Sequence, residues 1–343
     1  MAVEVTPAPP PEWDKYVSGH PAATAYHRAA AVRIGADAFG LRTFFLAAHG
    51  QQGLRGVLPL VEQSSLLFGR FLVSVPFFTY GGVLADDPAI ALQLAQRAAQ
   101  IARERRAAHV ELRHSAPMPD LALPERLDKV SLVLQLPATA EELAKRLGSK
   151  LRSQVKRAER EAPEIVWGRR ELIPEFYEVF ASSMHELGTP VYPRRFFEVV
   201  CDAFADLLEV LVVRRAGVVE AAAITIRHGQ RVEVPWGAAT DAGKRASLNM
   251  RMYWEVLKRS VESGAGQFDF GRSSVDSGTY RFKTQWGAVP QQLHWHYCLA
   301  PGSALPQLNQ SNPKYAKAAA IWRSMPLWCA NLIGPRISRH LPW

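Results

Sequence analysis

The feature that most constrains this chain is that one pattern is written twice along it. An apolar run at residues 44–48, a turn at 50–53 and a second run at 54–61 recur as 210–213, 214–217 and 218–226, and each set reads as a β-hairpin. The first hairpin leads to Pro76-Phe77-Phe78-Thr79-Tyr80-Gly81-Gly82-Val83, the second to Val232-Glu233-Val234-Pro235-Trp236-Gly237-Ala238-Ala239. In both, an aromatic residue precedes a glycine at a strand end. A helix follows each, with apolar positions at Ile90, Leu94, Ala98 and Ile101, and at Leu248, Met252, Val256, Leu257 and Val261. Each helix runs into a short strand, 109–113 and 267–271, in which Glu111 and Asp269 hold matching places. Strands at 130–136 and 293–299 are expected to close the first and second copies.

A repeated hairpin–strand–helix–strand unit predicts an α/β (α+β) chain made of two copies of one domain, each a mixed twisted sheet flanked by helices. Length agrees: 343 residues make about two domains at roughly 150 residues each. The expected boundaries are 1–137, 138–300, and a C-terminal helical tail, 301–343, packing on the first domain. A hydrophobic fraction of 48% with 21% charged residues excludes disorder along the whole chain. Cys201, Cys298 and Cys329 are far apart and odd in number, which argues against a disulfide scaffold and for a reducing compartment. The start of the chain has no positive segment followed by an apolar one. The most apolar window, 66–84, is interrupted by Arg70, Pro76, Gly81 and Gly82 and reads as buried strands rather than a membrane span. A cytoplasmic protein is expected.

Lys and Arg number 41 against 32 Asp and Glu, a formal charge of +9. Such a surplus serves solubility or an anionic partner: nucleic acid, a phosphorylated substrate or a membrane surface. Much of it falls between the two copies. Thr139, Glu141 and Glu142 suit a helix start, and Leu143, Leu147, Leu151, Val155 and Ala158 then form one apolar stripe. Lys145, Arg146, Lys150, Arg152, Lys156, Arg157 and Arg160 fill the other faces, with Gly148-Ser149 as an expected break. This is a helix that docks by its leucines and offers cations. Phosphates are a natural target for Lys150, Arg152, Lys156 and Arg157, although a merely solvated face reads the same way. No aromatic residue is interleaved for base stacking.

The densest group of unusual residues is Phe268-Asp269-Phe270-Gly271-Arg272-Ser273-Ser274, continuing through Gly278-Thr279-Tyr280-Arg281-Phe282-Lys283-Thr284-Gln285-Trp286-Gly287. The Tyr-x-Phe-Lys-x-x-Trp-Gly element resembles the FemAB family of peptidoglycan-bridge aminoacyl transferases, especially the branch associated with PEP-CTERM and exosortase gene clusters. Lys150-Leu151-Arg152, Thr189-Pro190-Val191-Tyr192 before Phe196-Phe197, Tyr80-Gly81-Gly82 and Asn312-Pro313-Lys314-Tyr315 add to the resemblance. It implies two tandem GNAT-like acyltransferase domains, in agreement with the internal repeat. It also implies transfer of an amino acid from aminoacyl-tRNA to an amine of a peptidoglycan precursor. For the PEP-CTERM branch it implies a role in exopolysaccharide or cell-envelope assembly. Family members often carry a coiled-coil arm in the second domain; no heptad run is present here.

Acyl transfer to an amine needs the acceptor deprotonated, the oxyanion stabilised and water kept out. The resemblance places a substrate-contacting lysine at Lys283, a candidate catalytic cation for the oxyanion or for a donor phosphate. Asp269, across the strand from Phe268 and Phe270, is a candidate to orient or deprotonate an amine, or else a structural partner of Arg272. Arg272 suits a substrate phosphate or carboxylate. Tyr280, Trp236, Tyr192 and Tyr80 are candidates for substrate binding, with burial in the core as the plainer reading.

The expected chemistry needs no metal and no resident cofactor. His294 and His296 share a strand face, but further ligands at metal-binding spacing are missing. The donor is expected to be aminoacyl-tRNA or acyl-CoA. CoA-binding GNAT enzymes carry a Gln/Arg-x-x-Gly-x-Gly/Ala loop, and residues 240–246 hold one glycine and two cations without that pattern. The expected acceptor is a nucleotide- or lipid-linked glycan or peptide. An acyl-CoA-dependent N-acyltransferase and a non-catalytic polyanion-binding scaffold are the alternatives. The tail, with Ile321, Trp322, Leu327, Trp328 and Ile333 among Arg323, Arg336, Arg339 and His340, is read as packing back on the first domain or touching anionic lipid at the inner face of the membrane.

Overall fold

A computed structural model describes residues 3–65, 69–306 and 313–341. Residues 66–68 of the apolar window and 307–312 and 342–343 of the tail fall outside them. The chain divides into two compact units: Met1–Val130 with Gln291–Leu308 and His340–Trp343, and Ser131–Pro290 with Asn309–Arg339. Each is built on one mixed sheet flanked by helices, as the repeat predicts.

The sheet of the first unit runs Val3–Thr6, Thr43–Gly50, Gly53–Ser65, Gly69–Val73, His109–His114, His294–Leu299, Glu125–Arg126, with Leu84–Ala85 beside Gly53–Ser65. The expected hairpin is present, with Phe45 opposite Pro59 and Leu46 opposite Leu58. Helix Pro88–Glu104 starts on Asp87, whose carboxylate accepts from the Ile90 N–H, and carries a proline in its first turn. Its Ile90, Leu94, Ala98 and Ile101 bury against Leu46, Leu58, Leu60, Leu72, Val110 and Leu112. Burying side chains of this size contributes about 1.5–3 kcal/mol each before chain entropy is counted.

The second sheet runs Val289–Gln292, Lys129–Gln135, Gln267–Ser274, Arg231–Ala239, Val218–His228, Leu208–Arg215, Glu164–Gly168. Helices Ile173–Glu186 and Leu248–Glu262 flank it. The basic stretch forms helix Ala140–Arg146, a break at Leu147-Gly148, and helix Ser149–Arg160. Leu143, Leu147, Leu151, Val155 and Ala158 are buried, and Lys150, Arg152, Lys156 and Arg157 are exposed. Period and break match the sequence reading.

The two closing strands do not. Lys129–Gln135 lies in the second sheet, and His294–Leu299 pairs antiparallel with His109–His114 in the first. Each half of the sequence thus gives its last strand to the other half's sheet. Residues 130–134 are buried on both faces, so this segment satisfies any central sheet position and its sequence does not choose one. The tail is divided. Helices Pro313–Ser324 and Leu327–Ser338 pack on Ile173–Glu186 within the second unit, while residues 301–306 and His340 group with the first. Small residues make that docking close: a side chain at Gly188 would overlap Ala319, and one at Gly334 would press on the Val191 backbone. Cys201 and Cys298 are buried, Cys329 is half-buried, and all three are free thiols. No helix among the described residues is long and apolar enough to cross a membrane.

Candidate functional site

In the second unit, Arg231–Ala239 and Gln267–Ser274 pair in parallel at Arg231/Gln267, Val232/Phe268 and Glu233/Asp269. The ladder goes no further, although both strands continue. Where they part, buried polar groups accumulate. Gly271 follows with φ +74°, a left-handed conformation that strains any other residue. It redirects the strand so that its carbonyl, and that of Arg272, accept hydrogen bonds from the Lys283 Nζ, both at 2.9 Å.

Lys283 comes from helix Gly278–Thr284, which starts on Ser277: its hydroxyl accepts from the Tyr280 N–H. The ammonium is almost wholly enclosed. Burial lowers its pKa from the usual 10.5 to about 8; Asp269 and Glu233 oppose that shift, and Arg272 adds to it. An ammonium has three N–H bonds. Two serve the carbonyls, which fixes the direction of the third.

Asp269 has no exposed surface. Its Oδ1 accepts from the Ser131 hydroxyl at 2.5 Å and from the Gly271 N–H at 2.8 Å, and its Oδ2 lies 3.6 Å from the Arg231 guanidinium. The Arg231 guanidinium stands beside Asp269, and both faces of the strand are covered. Asp269 fixes the Gly271 turn and lends its charge to Lys283.

Four residues were missed in the sequence reading. Glu233, directly opposite Asp269 in the register, is buried and adds a second negative charge near Lys283; an acidic residue between two valines was the available signal. Ser131 arrives from 138 positions away and gave none. Among the described residues, the Ser273 hydroxyl and the Trp286 indole N–H are buried with no hydrogen-bond partner. Each such group costs about 1–3 kcal/mol when left unsatisfied; the Trp286 ring itself packs with Tyr253 and Phe282. Ser273 stands two residues past Gly271 on the strand, and Trp286 ends the helical turn that carries Lys283. Arg272 and Tyr280, half-buried, belong to the same strand end and helix start.

The other candidates lie apart. Trp236 and Tyr192 are buried in an aromatic cluster; Trp236 stands edge-on to Phe196 and Phe197 at 5.5 and 5.4 Å, and Tyr192 lies 4.6 Å from Phe196. This is core packing rather than the wall of an open groove. Tyr80 is in the first unit, buried beside Tyr26. In the basic helix, Arg157 donates to the Arg245 carbonyl at 2.6 Å, and Arg152 bonds the Leu147 carbonyl. Residues 240–246 form a turn of helix, Asp241–Arg245, whose Gly243 N–H is taken by the Thr240 hydroxyl.

The first unit repeats the architecture with a different filling. Its parallel ladder, Leu72/Val110 and Val73/Glu111, ends on Glu111 as the other ends on Asp269. Two residues on stands Arg113, in the place of Gly271. Its Nη1 donates to the carbonyls of Val75, Pro76 and Phe78 at 3.2, 3.0 and 2.7 Å, its Nε to Glu111 at 2.6 Å, and it lies over the Trp295 ring. Burial pushes the Glu111 carboxyl up, but Arg113 and the Tyr297 hydroxyl outweigh it and hold the pKa below the ordinary value. Where the strands part, the first unit is stitched by a guanidinium and the second is turned by a glycine.

His296 is a core residue: its Nδ1 lies 3.0 Å from the Nδ1 of His114. No metal-binding group of three or more His, Cys, Asp or Glu occurs among the described residues.

Residues 148–284 match the profile of the acetyltransferase (GNAT) domain, which marks the second unit as an acyltransferase domain. No curated protein matches the chain in sequence. Among solved structures it is similar to FemX, at 15% identity and TM-score 0.67 over 86% of this chain and 97% of that one. It is similar to L-PGS from Bacillus licheniformis, at 11% and 0.59 over 94% and 100%. A tandem GNAT protein from the clavulanic acid biosynthesis pathway gives 10% and 0.56 over 88% and 100%. The fold is therefore two tandem GNAT-like domains, and the chain is an acyltransferase by its matched domain.

Proposed function

We propose that the chain is an acyl or aminoacyl transferase of FemAB type that acts on an amine of a cell-envelope or exopolysaccharide-related acceptor, with the second unit as the working half. The observation that carries this reading is the enclosed Lys283 ammonium, held by the Gly271 and Arg272 carbonyls where the two strands part. In the first unit Arg113 already occupies the corresponding space, which suits a structural role for that copy.

Transfer proceeds by attack of the acceptor nitrogen on the donor's acyl carbon. The carbonyl electrons move to oxygen and return as the donor's oxygen or sulfur leaves, while the nitrogen gives up a proton. Lys283, held by two carbonyls, directs its third N–H at the developing oxyanion. A fixed cation in a water-poor site stabilises that charge without reorganising. Asp269 and Glu233 keep Lys283 charged near neutral pH, and Asp269 also holds Gly271, so Asp269 is a positioning residue. Arg272 and Tyr280, half-buried at the same strand end and helix start, are the groups assigned to contact substrate. The reading gives the oxyanion to Lys283 and calls on no metal.

Similarity to FemX and L-PGS supports an aminoacyl donor, and the exposed Lys150, Arg152, Lys156 and Arg157 suit its phosphates. The acetyltransferase match supports acyl-CoA as the second reading. The acceptor, a nucleotide- or lipid-linked glycan or peptide, is met in the cytoplasm or at the inner face of the membrane. The test is label transfer: purified chain with radiolabelled aminoacyl-tRNA or acetyl-CoA, each with glycan and peptide amine acceptors. Transfer from charged tRNA that is lost in Lys283→Ala supports the first reading. Transfer from acetyl-CoA alone supports the second. Equal transfer by wild type and Lys283→Ala overturns the assigned site.

A further inference from the structure

The two C-terminal helices present a surface that the transferase reading does not use. In helix Leu327–Ser338, Ala330, Gly334 and Ser338 recur every fourth residue and are buried. Two positions away, roughly 200° around the helix, Trp328, Leu332 and Arg336 recur with the same period, joined by Arg339 just past the helix end. Trp328 is 70% exposed and Leu332 56%. In the preceding helix, Pro313–Ser324, Ile321 is 57% exposed one turn after the exposed Lys317, while Trp322 turns inward beneath Gly334. The inward face is thus fixed by close packing, and large apolar side chains point outward by construction.

Charge says what covers them. From Ser277 to Trp343 the sequence holds seven Lys and Arg and not one Asp or Glu. The Arg336 guanidinium bends back to donate to the Leu332 carbonyl at 2.7 Å, which sets a cation beside the exposed leucine. An aromatic residue and a leucine on the same face as arginines, on helices that carry no acid of their own, is the chemistry of a bilayer interface. Apolar groups enter the acyl boundary there and arginines pair with lipid phosphates. A protein partner would have to match an apolar patch flanked by several cations. We propose that these helices form a peripheral docking surface for an anionic phospholipid bilayer, with Trp328 and Leu332 inserting and Arg336, Arg339, Arg323 and Lys317 contacting headgroup phosphates. The proposal stands on this surface alone and holds whatever the transferase site carries.

The test is flotation of the full chain with vesicles of phosphatidylglycerol and phosphatidylcholine, or of phosphatidylcholine alone. The wild type is expected to float with the anionic vesicles at low salt and to be released by high salt. Trp328→Ser with Leu332→Ser, which removes the inserting apolar groups, and Arg336→Glu with Arg339→Glu, which reverses the cations, should each weaken binding at least about tenfold. The substituted side chains are on the surface, so an unchanged thermal midpoint certifies the fold. Retention of the wild type in the unbound fraction overturns the proposal, as does equal flotation of the wild type and the Trp328→Ser, Leu332→Ser variant. If that variant instead abolishes self-association in sedimentation velocity without changing flotation, the face is a contact between copies and the proposal falls. Label transfer from soluble donor to soluble acceptor reads the active site separately.

Discussion

The Ser131 hydroxyl donates to the Asp269 carboxylate at 2.5 Å, within a sheet that brings together residues 138 apart in sequence. The first unit has the same arrangement: the Tyr297 hydroxyl donates to Glu111 at 2.7 Å. In both, a strand from the other half of the chain supplies a hydroxyl to the carboxylate on which the parallel ladder ends. The exchange of closing strands is therefore tied to the two buried acids. Ser131→Ala leaves Asp269 with one donor fewer where no water reaches it. It should destabilise the chain by about 1–3 kcal/mol in urea unfolding, while Ser131→Thr, which keeps the hydroxyl, should cost less. Equal losses in both variants would show that space, not the hydrogen bond, is what the site demands.

Lys283 ties stability and activity to pH in opposite senses. Its folded pKa, about 8, lies below the unfolded 10.5. Between those values the unfolded chain binds the extra proton, so stability rises with pH through that window. The burial penalty is in full force below pH 8 and amounts to something on the order of 3 kcal/mol. Lys283→Met should flatten this rise, as measured by urea midpoints from pH 7.5 to 10. Activity should do the reverse: if the ammonium is the working form, kcat/KM falls as pH passes about 8. Lys283→Arg keeps its charge and should carry whatever activity it retains to higher pH. A profile that rises through pH 8 would instead make Lys283 a base.

Local rules read much of this molecule from its sequence. The leucine stripe from Leu143 to Val155 and its break at Gly148 follow from helical period and glycine alone, and the hairpin at Gly50–Gly53 from turn chemistry. The Phe-Lys-x-x-Trp-Gly element located the helix that carries Lys283. What stayed hidden was set by distant packing. Residues 130–134 fit either sheet. Tyr192 and Trp236 carry polar atoms that suit a binding site as well as a core, and only the tertiary fold placed them against Phe196. Nothing near Ser131 announces Asp269.

Arg113 in the first unit sets a further test. Its guanidinium and Glu111 are both buried, and removing one partner of such a pair strands the other. Arg113→Ala should destabilise by about 3–5 kcal/mol. Adding Glu111→Gln to that variant should recover part of the loss, because the stranded charge disappears. If the first unit is structural, the double variant retains label transfer once folded. A specific loss of transfer with the fold intact would place a working group in the first unit.

The His114–His296 pair makes the first unit sensitive to acid. The Val83 N–H donates to the Nε2 of His114 at 3.0 Å, so that nitrogen carries no proton. The neutral ring must then carry its proton on Nδ1 and donate it to the Nδ1 of His296. The His296 Nδ1 also lies 3.2 Å from the His294 carbonyl, and its Nε2 lies 3.6 Å from Glu125. A proton added to either ring breaks one of these bonds. Burial lowers both pKa values, and for His114 the neighbouring His296 lowers it further. With folded pKa values below the unfolded 6.5, the unfolded chain takes up protons first as pH falls. Stability is complete above about pH 6.5 and declines through the window beneath it. Urea midpoints from pH 7.5 to 5 should fall more steeply in the wild type than in His114→Asn, which starts lower but does not titrate. Parallel slopes would mean that the acid sensitivity lies elsewhere.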